Sequence, residues 1–188
     1  MKKPTMNLAH RKDLFPHYRS TLNVGLTYLP EYIATGAGCG DPSMVDIDPD
    51  YQRGHVWSMA QKRAYMEYLL RGGEAARALT FACDAHGANR NQWRLLDGKQ
   101  RLSSALDFMA DKIGVFVDKD HPEGHVASGI SGIRGHLVNF EIRVIAVDSR
   151  LDELTIYLNM NSGGTPHSQE ELSRVAAMIE LERNSKGA

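Results

Sequence analysis

The 188 residues predict a single α/β (α+β) domain built on a small mixed sheet surrounded by helices. Three observations carry that reading. Strand-like and helix-like stretches are intermixed along the chain rather than grouped in blocks. The segment Trp93–Met109 passes from a short apolar run through Asp97-Gly98 into Leu102, Ala105, Leu106 and Met109, a helix's i, i+3, i+4, i+7 spacing. Further on, Phe140, Ile142, Val144 and Ala146 alternate with Glu141, Arg143 and Ile145, the period of a strand with one buried face.

Taken in order, residues 1–45 are the least readable part of the one domain spanning 1–188, and the motif-bearing core runs over 46–183. An apolar segment from Leu22 to Tyr32 is interrupted by Gly25 and Pro30, so no helix is assigned there. Thr35–Gly40 has the glycine content of a phosphate cradle, but Asp41-Pro42 follows where a helix should open, which predicts a plain loop. Ser58 with Gln61 forms a capping box for a helix ending near Gly72-Gly73, with Ala64, Tyr65, Tyr68 and Leu69 on its core side. Ala78–Cys83 reads as a strand, Asp84–Asn91 as a loop, and Ile113–Val117 as a short strand followed by a loop over Asp118–Gly135. Leu151–Leu158 predicts a short helix. Ser168-Gln169-Glu170-Glu171 is a second capping box, opening a last helix with Leu172, Val175, Ala176 and Ile179 on one face and fraying after Arg183.

Bulk composition narrows the function classes. The chain's 22 Lys and Arg nearly balance its 23 Asp and Glu, so no global basic field marks a nucleic-acid or membrane-surface protein. Local basic residues (Lys62, Arg63, Arg71, Arg77, Arg90 and Arg94) are the candidates for a DNA-facing patch. Cys39 and Cys83 have no metal-ligand spacing and read as free buried thiols. The N-terminus lacks a signal peptide's apolar run, and no stretch is long enough to span a membrane, so a cytoplasmic protein is expected.

Polar side chains concentrate beside three predicted turns or helix starts. Asp97 and Gly98 sit where a helix begins, where outward N–H groups and aligned peptide dipoles favour an anion. Lys99, Gln100 and Arg101 crowd the same spot; alternatively Asp97 is an ordinary N-cap and the triplet a solvated first turn. Tyr51-Gln52-Arg53 with Trp57 forms the second group. Arginine's fork of donors matches phosphate oxygens, and glutamine can orient a water or read a base edge. The third group is Asn159 through Pro166, whose glycines allow backbone approach and whose asparagines can bond a sugar, a phosphate or a metal-bound water. Asn161 and the glycines can equally well cap the preceding helix. His121-Pro122-Glu123-Gly124-His125 matches the zinc-protease spacing only superficially, because proline and glycine break the helix that motif needs, and no metal site is expected.

Together, Asp50 through Trp57, Leu96-Asp97-Gly98-Lys99-Gln100-Arg101-Leu102, and Tyr157 through Gly164 with Glu171-Leu172 resemble the ParB/sulfiredoxin-like domain that opens GmrSD-type modification-dependent restriction enzymes. The resemblance covers about Ile47 to Val175. It implies a ParB-like fold and nucleoside-triphosphate binding and hydrolysis, coupled to recognition or cutting of DNA; magnesium is expected from triphosphate chemistry. Residue by residue, Asp97, Gly98, Gln100 and Arg101 match an Asp-Gly-Gln-Gln-Arg signature, Tyr51, Gln52 and Arg53 a Tyr-Gln-Arg signature, and Asn161 a late asparagine. Lys99 departs from the family's glutamine, Asn159 from its arginine or lysine, and His167 from its leucine.

The expected role is thus a stand-alone triphosphate-binding domain, a possible nucleoside triphosphatase, in restriction, anti-restriction or phage biology. In that role Asp97, Gln100, Arg101 and Gln52 are the catalytic candidates, and Tyr51, Arg53, Gly98, Lys99 and Asn161 bind the nucleotide. Phosphoryl transfer asks mainly for positioning and charge stabilisation. Arg101 and Arg53 would hold phosphate oxygens, Asp97 would hold magnesium or orient water, and Gln52 or Gln100 would place the attacking water. The alternatives are a non-catalytic DNA-binding or protein-regulatory module, whose partner could be a separate nuclease, and, lower in rank, a DNA-nicking nuclease.

Overall fold

A computed structural model describes residues 18–38, 40–52, 54, 57–86, 91–133, 138–161 and 169–185. Among them, five strands form one mixed sheet: β1 (Tyr18–Gly25), β2 (Val45–Asp46), β3 (Ala78–Asp84), β4 (Trp93–Asp97) and β5 (Asn139–Val147), in the order β1-β5-β3-β4-β2. β5 runs antiparallel to β1 and parallel to β3, with Phe81 opposite Val144. β4 is antiparallel to β3 and parallel to the short edge strand β2. The α/β class predicted from the alternation is the architecture found.

Five α-helices cover the two faces: α1 (Leu29–Ala34), α2 (Met59–Leu70), α3 (Lys99–Met109), α4 (Arg150–Asn161) and α5 (Gln169–Ser185). Because successive strand residues point to opposite faces, Leu79, Phe81, Leu95, Phe140, Ile142 and Val144 pack beneath α1–α3 with Leu29, Met66, Leu69, Leu102 and Phe108. Ala82, Leu96, Ile145 and Val147 pack on the other side with Tyr51, Leu154, Tyr157, Val175 and Ile179. Each of these side chains is at most lightly exposed.

Several expectations are corrected. The unreadable N-terminal part supplies the edge strand β1 and helix α1, and Pro30 falls in the helix's first turn, where its missing N–H is not needed. Ile113–Val117 is not a strand. Among the described residues only Val115 is bridged, to His125, and Ile113 and Val115 are buried from within a loop. The α2 capping box is present, with Gln61 N–H donating to Ser58 Oγ and Ser58 N–H to Gln61 Oε1. Its inward face, however, is Lys62, Tyr65, Met66 and Leu69, while Ala64 and Tyr68 are exposed. β5 buries both faces toward its end, because α4 and α5 cover Ile145 and Val147. α4 is longer than expected at both ends, and Ala176 of α5 is exposed beside buried Val175 and Ile179. Ser168 and Cys39 lie outside the described residues, whereas Cys83 is buried, as expected. No helix among the described residues is long and apolar enough to cross a membrane.

Candidate functional site

β4 ends at Asp97, and α3 starts two residues later through Gly98, which is the N-cap in place of Asp97. Gly98 has φ +102°, and a Cβ there would stand 2.6 Å from Leu79 Cδ2 and 3.2 Å from the Ala78 carbonyl oxygen. Only glycine meets both conditions without displacement. The turn therefore brings α3's first turn directly against the sheet. Gly98 O accepts the first intrahelical bond, from Leu102 N–H at 2.8 Å, so the amides of Lys99, Gln100 and Arg101 make up the electropositive end of the helix. Asp97, released from capping, accepts a bond of 2.5 Å from Arg101 one turn on.

After β2 the chain runs alongside β4 and crosses its end from one helical layer to the other. Tyr51 is fully buried on the α4 side, its ring 4.8 Å from that of Tyr157 and beneath the Arg150 guanidinium. Its hydroxyl donates to Glu153 at 2.8 Å, and burial, with the Glu153 charge adding to it, pushes the phenol well above its usual value. Gln52 Nε2 donates to the Leu95 carbonyl. Gln100 Oε1 accepts from Trp57 N–H, and its Nε2 donates to the Gly54 carbonyl, each at 3.2 Å. Trp57 then packs edge-on against Tyr65 of α2. From α5, Arg174 donates to the carbonyls of Asp50 and Tyr51 at 2.8 and 2.9 Å.

The fold thus brings Tyr51, Gln52, Asp97, Gly98, Lys99, Gln100 and Arg101 to one end of β4. Asn161 is the last residue of α4 and turns its amide back to the Tyr157 carbonyl at 2.7 Å, and Tyr157 packs on Tyr51. Arg53 lies outside the described residues, as does 162–168. Gln52 thus ties its segment to the β4 backbone at Leu95, and Gln100 ties α3 to the backbone at Gly54 and Trp57.

In three ion pairs around β4, two at the start of α3 and one at the start of α4, the cation is less exposed than its carboxylate. Lys99 is 7 % exposed and its partner Asp48 69 %; Arg150 is 29 % exposed and its partner Asp50 68 %; Arg101 is 17 % exposed and Asp97 38 %. The Asp48-Pro49-Asp50 turn therefore lays one carboxylate over each of two cations. Behind them Glu153, buried, accepts from Arg94 Nε at 2.9 Å as well as from Tyr51. Burial alone would lower the Arg94 guanidinium's pKa; its hydrogen bonds to Glu153 and Asp84 outweigh that and raise it. A cleft lined by Asp84, His86, Arg94, Asp148, Ser149 and Arg150 opens beside this pair, with charges of both signs.

Sequence reasoning missed Asp48, Asp50, Arg150, Glu153 and Arg174. The sole local signal was the Asp-Pro-Asp turn, since the other three meet Asp50 or Tyr51 from 100 or more residues away. The residues expected to form a basic patch make the following contacts. Lys62 bonds Asp107 and Ser103, Arg63 the Gly114 carbonyl, Arg77 the Gly73 carbonyl and Arg94 the Glu153 carboxylate, while Arg71 stacks on Phe116. Arg90 lies outside the described residues. Comparison with protein-family models, curated proteins and solved structures finds no match to this chain.

Proposed function

We propose that this chain is a nucleoside-triphosphate-binding domain of ParB/sulfiredoxin-like fold, with the phosphates on the first turn of α3 and Lys99 and Arg101 as their cationic partners. The observation that carries the reading is the covering of inward cations by outward carboxylates at a helix N-terminus. Asp48 lies on Lys99 where a phosphate oxygen would, and being largely exposed it loses little when displaced.

Magnitudes decide which groups matter. A micromolar complex needs about 8 kcal/mol. The helix end supplies at most about 2 kcal/mol, so the charge-assisted bonds from Lys99 and Arg101, at about 1.5–3 kcal/mol each, must provide much of the rest together with base contacts. Magnesium fits as an ion carried by the triphosphate. Among the described residues no group of three His, Cys, Asp or Glu side chains stands at this end of β4, and a single carboxylate, Asp97, suffices beside phosphate oxygens.

Gln52 and Gln100 favour binding over hydrolysis in the conformation seen, because both amides are engaged in bonds to backbone groups. A nucleotide-sensing clamp is therefore the second reading, and hydrolysis requires those bonds to open. The DNA-related setting rests on the motif resemblance, and the internal use of the basic side chains argues for a protein or nucleotide partner ahead of direct DNA binding.

Calorimetric titration with each of the four magnesium ribonucleoside triphosphates tests the reading, with phosphate release followed with and without DNA. At least one triphosphate binds, and Arg101→Ala, still folded by circular dichroism, weakens it at least about tenfold, the loss of one charge-assisted bond. Absence of binding by all four overturns the proposal. Phosphate release that vanishes in Arg101→Ala makes the domain a triphosphatase, and binding without release makes it a clamp.

A further inference from the structure

The loop from Ile113 to Val126 is built to a fixed shape. Val115 and His125 exchange both backbone hydrogen bonds, at 2.9 and 2.7 Å. The loop's two arms touch through Gly114 and Gly124, where a Cβ on Gly114 would stand 1.9 Å from the Glu123 carbonyl oxygen and one on Gly124 2.7 Å from the Gly114 carbonyl carbon. Helix α2 holds the loop from beneath. Arg63 Nε donates to the Gly114 carbonyl at 2.7 Å, Glu67 accepts from Phe116 N–H at 2.7 Å, and Arg71 lies over the Phe116 ring. Phe116 itself has φ +55°, a conformation an aromatic residue holds only where its surroundings impose it.

What this scaffold holds is Asp118, His121 and His125. One carboxylate oxygen, Asp118 Oδ1, accepts the N–H groups of Asp120 and His121 at 2.9 and 2.7 Å, which fixes the carboxylate's orientation. The other, Oδ2, stands 3.4 Å from His121 Nδ1 and 3.6 Å from His125 Nε2. The two imidazoles lie with ring centroids 4.0 Å apart, and one ligand atom from each of the three residues falls within 4.8 Å of the others.

We infer that Asp118, His121 and His125 form a binding site for a first-row divalent transition ion of the zinc type. Zinc takes nitrogen and carboxylate oxygen ligands at about 2.0–2.2 Å in a tetrahedron, which sets ligand atoms about 3.4 Å apart. Two of the three separations are already close to that length, and the third lies within 4.8 Å. Two imidazoles with one carboxylate select zinc, cobalt, nickel or iron(II) over magnesium and calcium, which take mostly oxygen. Asp118 and His121 are half-exposed, so the ion keeps a solvent-facing position for water or an external ligand. Pro122 and Gly124, which exclude the zinc-protease helix, here make the turn that folds His125 back over His121.

The test uses the untagged chain, stripped of metal with a chelator, at neutral pH. Cobalt(II) is the probe, because its visible bands report a low-symmetry nitrogen and oxygen site. The chain binds one cobalt(II) with such bands, and zinc displaces it. His125→Ala, His121→Ala and Asp118→Asn each weaken cobalt binding at least about tenfold, the scale on which even outer groups alter metal affinity. His86→Ala, remote and exposed, leaves it unchanged. Should His125→Ala unfold, His121→Ala decides, because its ring is half-exposed and its loss leaves the loop's backbone bonds in place. Failure of the wild type to bind cobalt, or affinity undiminished in the folded histidine variants, overturns the inference.

Discussion

Gly98 sets the geometry from which the candidate site follows. Its positive φ ends β4 and starts α3 within one residue, and its missing side chain lets α3 lie against Leu79 and the Ala78 carbonyl. Gly98→Ala forces either a shift of the helix start or a displaced Leu79, and is expected to lower unfolding free energy by about 1–3 kcal/mol, measured by urea denaturation. A change under about 0.5 kcal/mol would show that the turn relaxes freely. Individual side chains were only partly legible in the sequence. The Asp-Gly pair signalled the turn, because that signal is local. The use of Arg94 was hidden, because a guanidinium looks the same in sequence whether it faces solvent or Glu153. The same holds for Lys62, buried as part of α2's inward face.

Lys62 and Asp107 clip α2 to α3 at the scale of elements. Lys62 Nζ donates at 2.6 Å to the Asp107 carboxylate and at 2.9 Å to Ser103 Oγ. Partial burial would raise the Asp107 carboxyl, but the bond and charge of Lys62 outweigh it and hold its pKa below the ordinary 3.8. A carboxyl depressed in the folded state contributes stability above its unfolded pKa and loses it as pH falls through the folded value. Asp107→Asn is therefore expected to be less stable than the wild type by about 1–3 kcal/mol at neutral pH. In denaturation curves that gap closes as pH drops below the ordinary carboxylate range; a gap that stays constant into acid would remove the pair from the account. Elements with chemical boundary signals were the ones the sequence disclosed: the Ser58–Gln61 box marks α2 because its partners are three residues apart. Ile113–Val117 misled, because burial by a loop and burial by a sheet leave the same apolar pattern. β1 was obscured because Arg19, Ser20, Thr21 and Asn23 leave it few apolar residues, and its strand character comes from pairing with the distant β5.

At the scale of the molecule, the sheet separates two cores; Tyr51 belongs to one and Trp57 packs against the other, with Gln52 bonded to β4 between them. The segment 46–58 is fastened on one side by Tyr51 to Glu153 and on the other by Trp57 to Gln100 and Tyr65. A ligand on α3's first turn must contact or lift this segment, which couples occupancy to the packing of both layers. The α/β class was legible because strand and helix periodicities alternate. The strand order was not, since β1 and β5 meet across more than 110 residues and nothing local specifies that pairing. Backbone amide NMR spectra, recorded with and without each magnesium ribonucleoside triphosphate, address the central claim most directly. The predicted result, for at least one triphosphate, is a set of shifts centred on Gly98–Arg101 and the segment 46–58, with the loop 118–125 unmoved. No shift with any triphosphate, or shifts centred elsewhere on the sheet, would contradict a phosphate site at the start of α3.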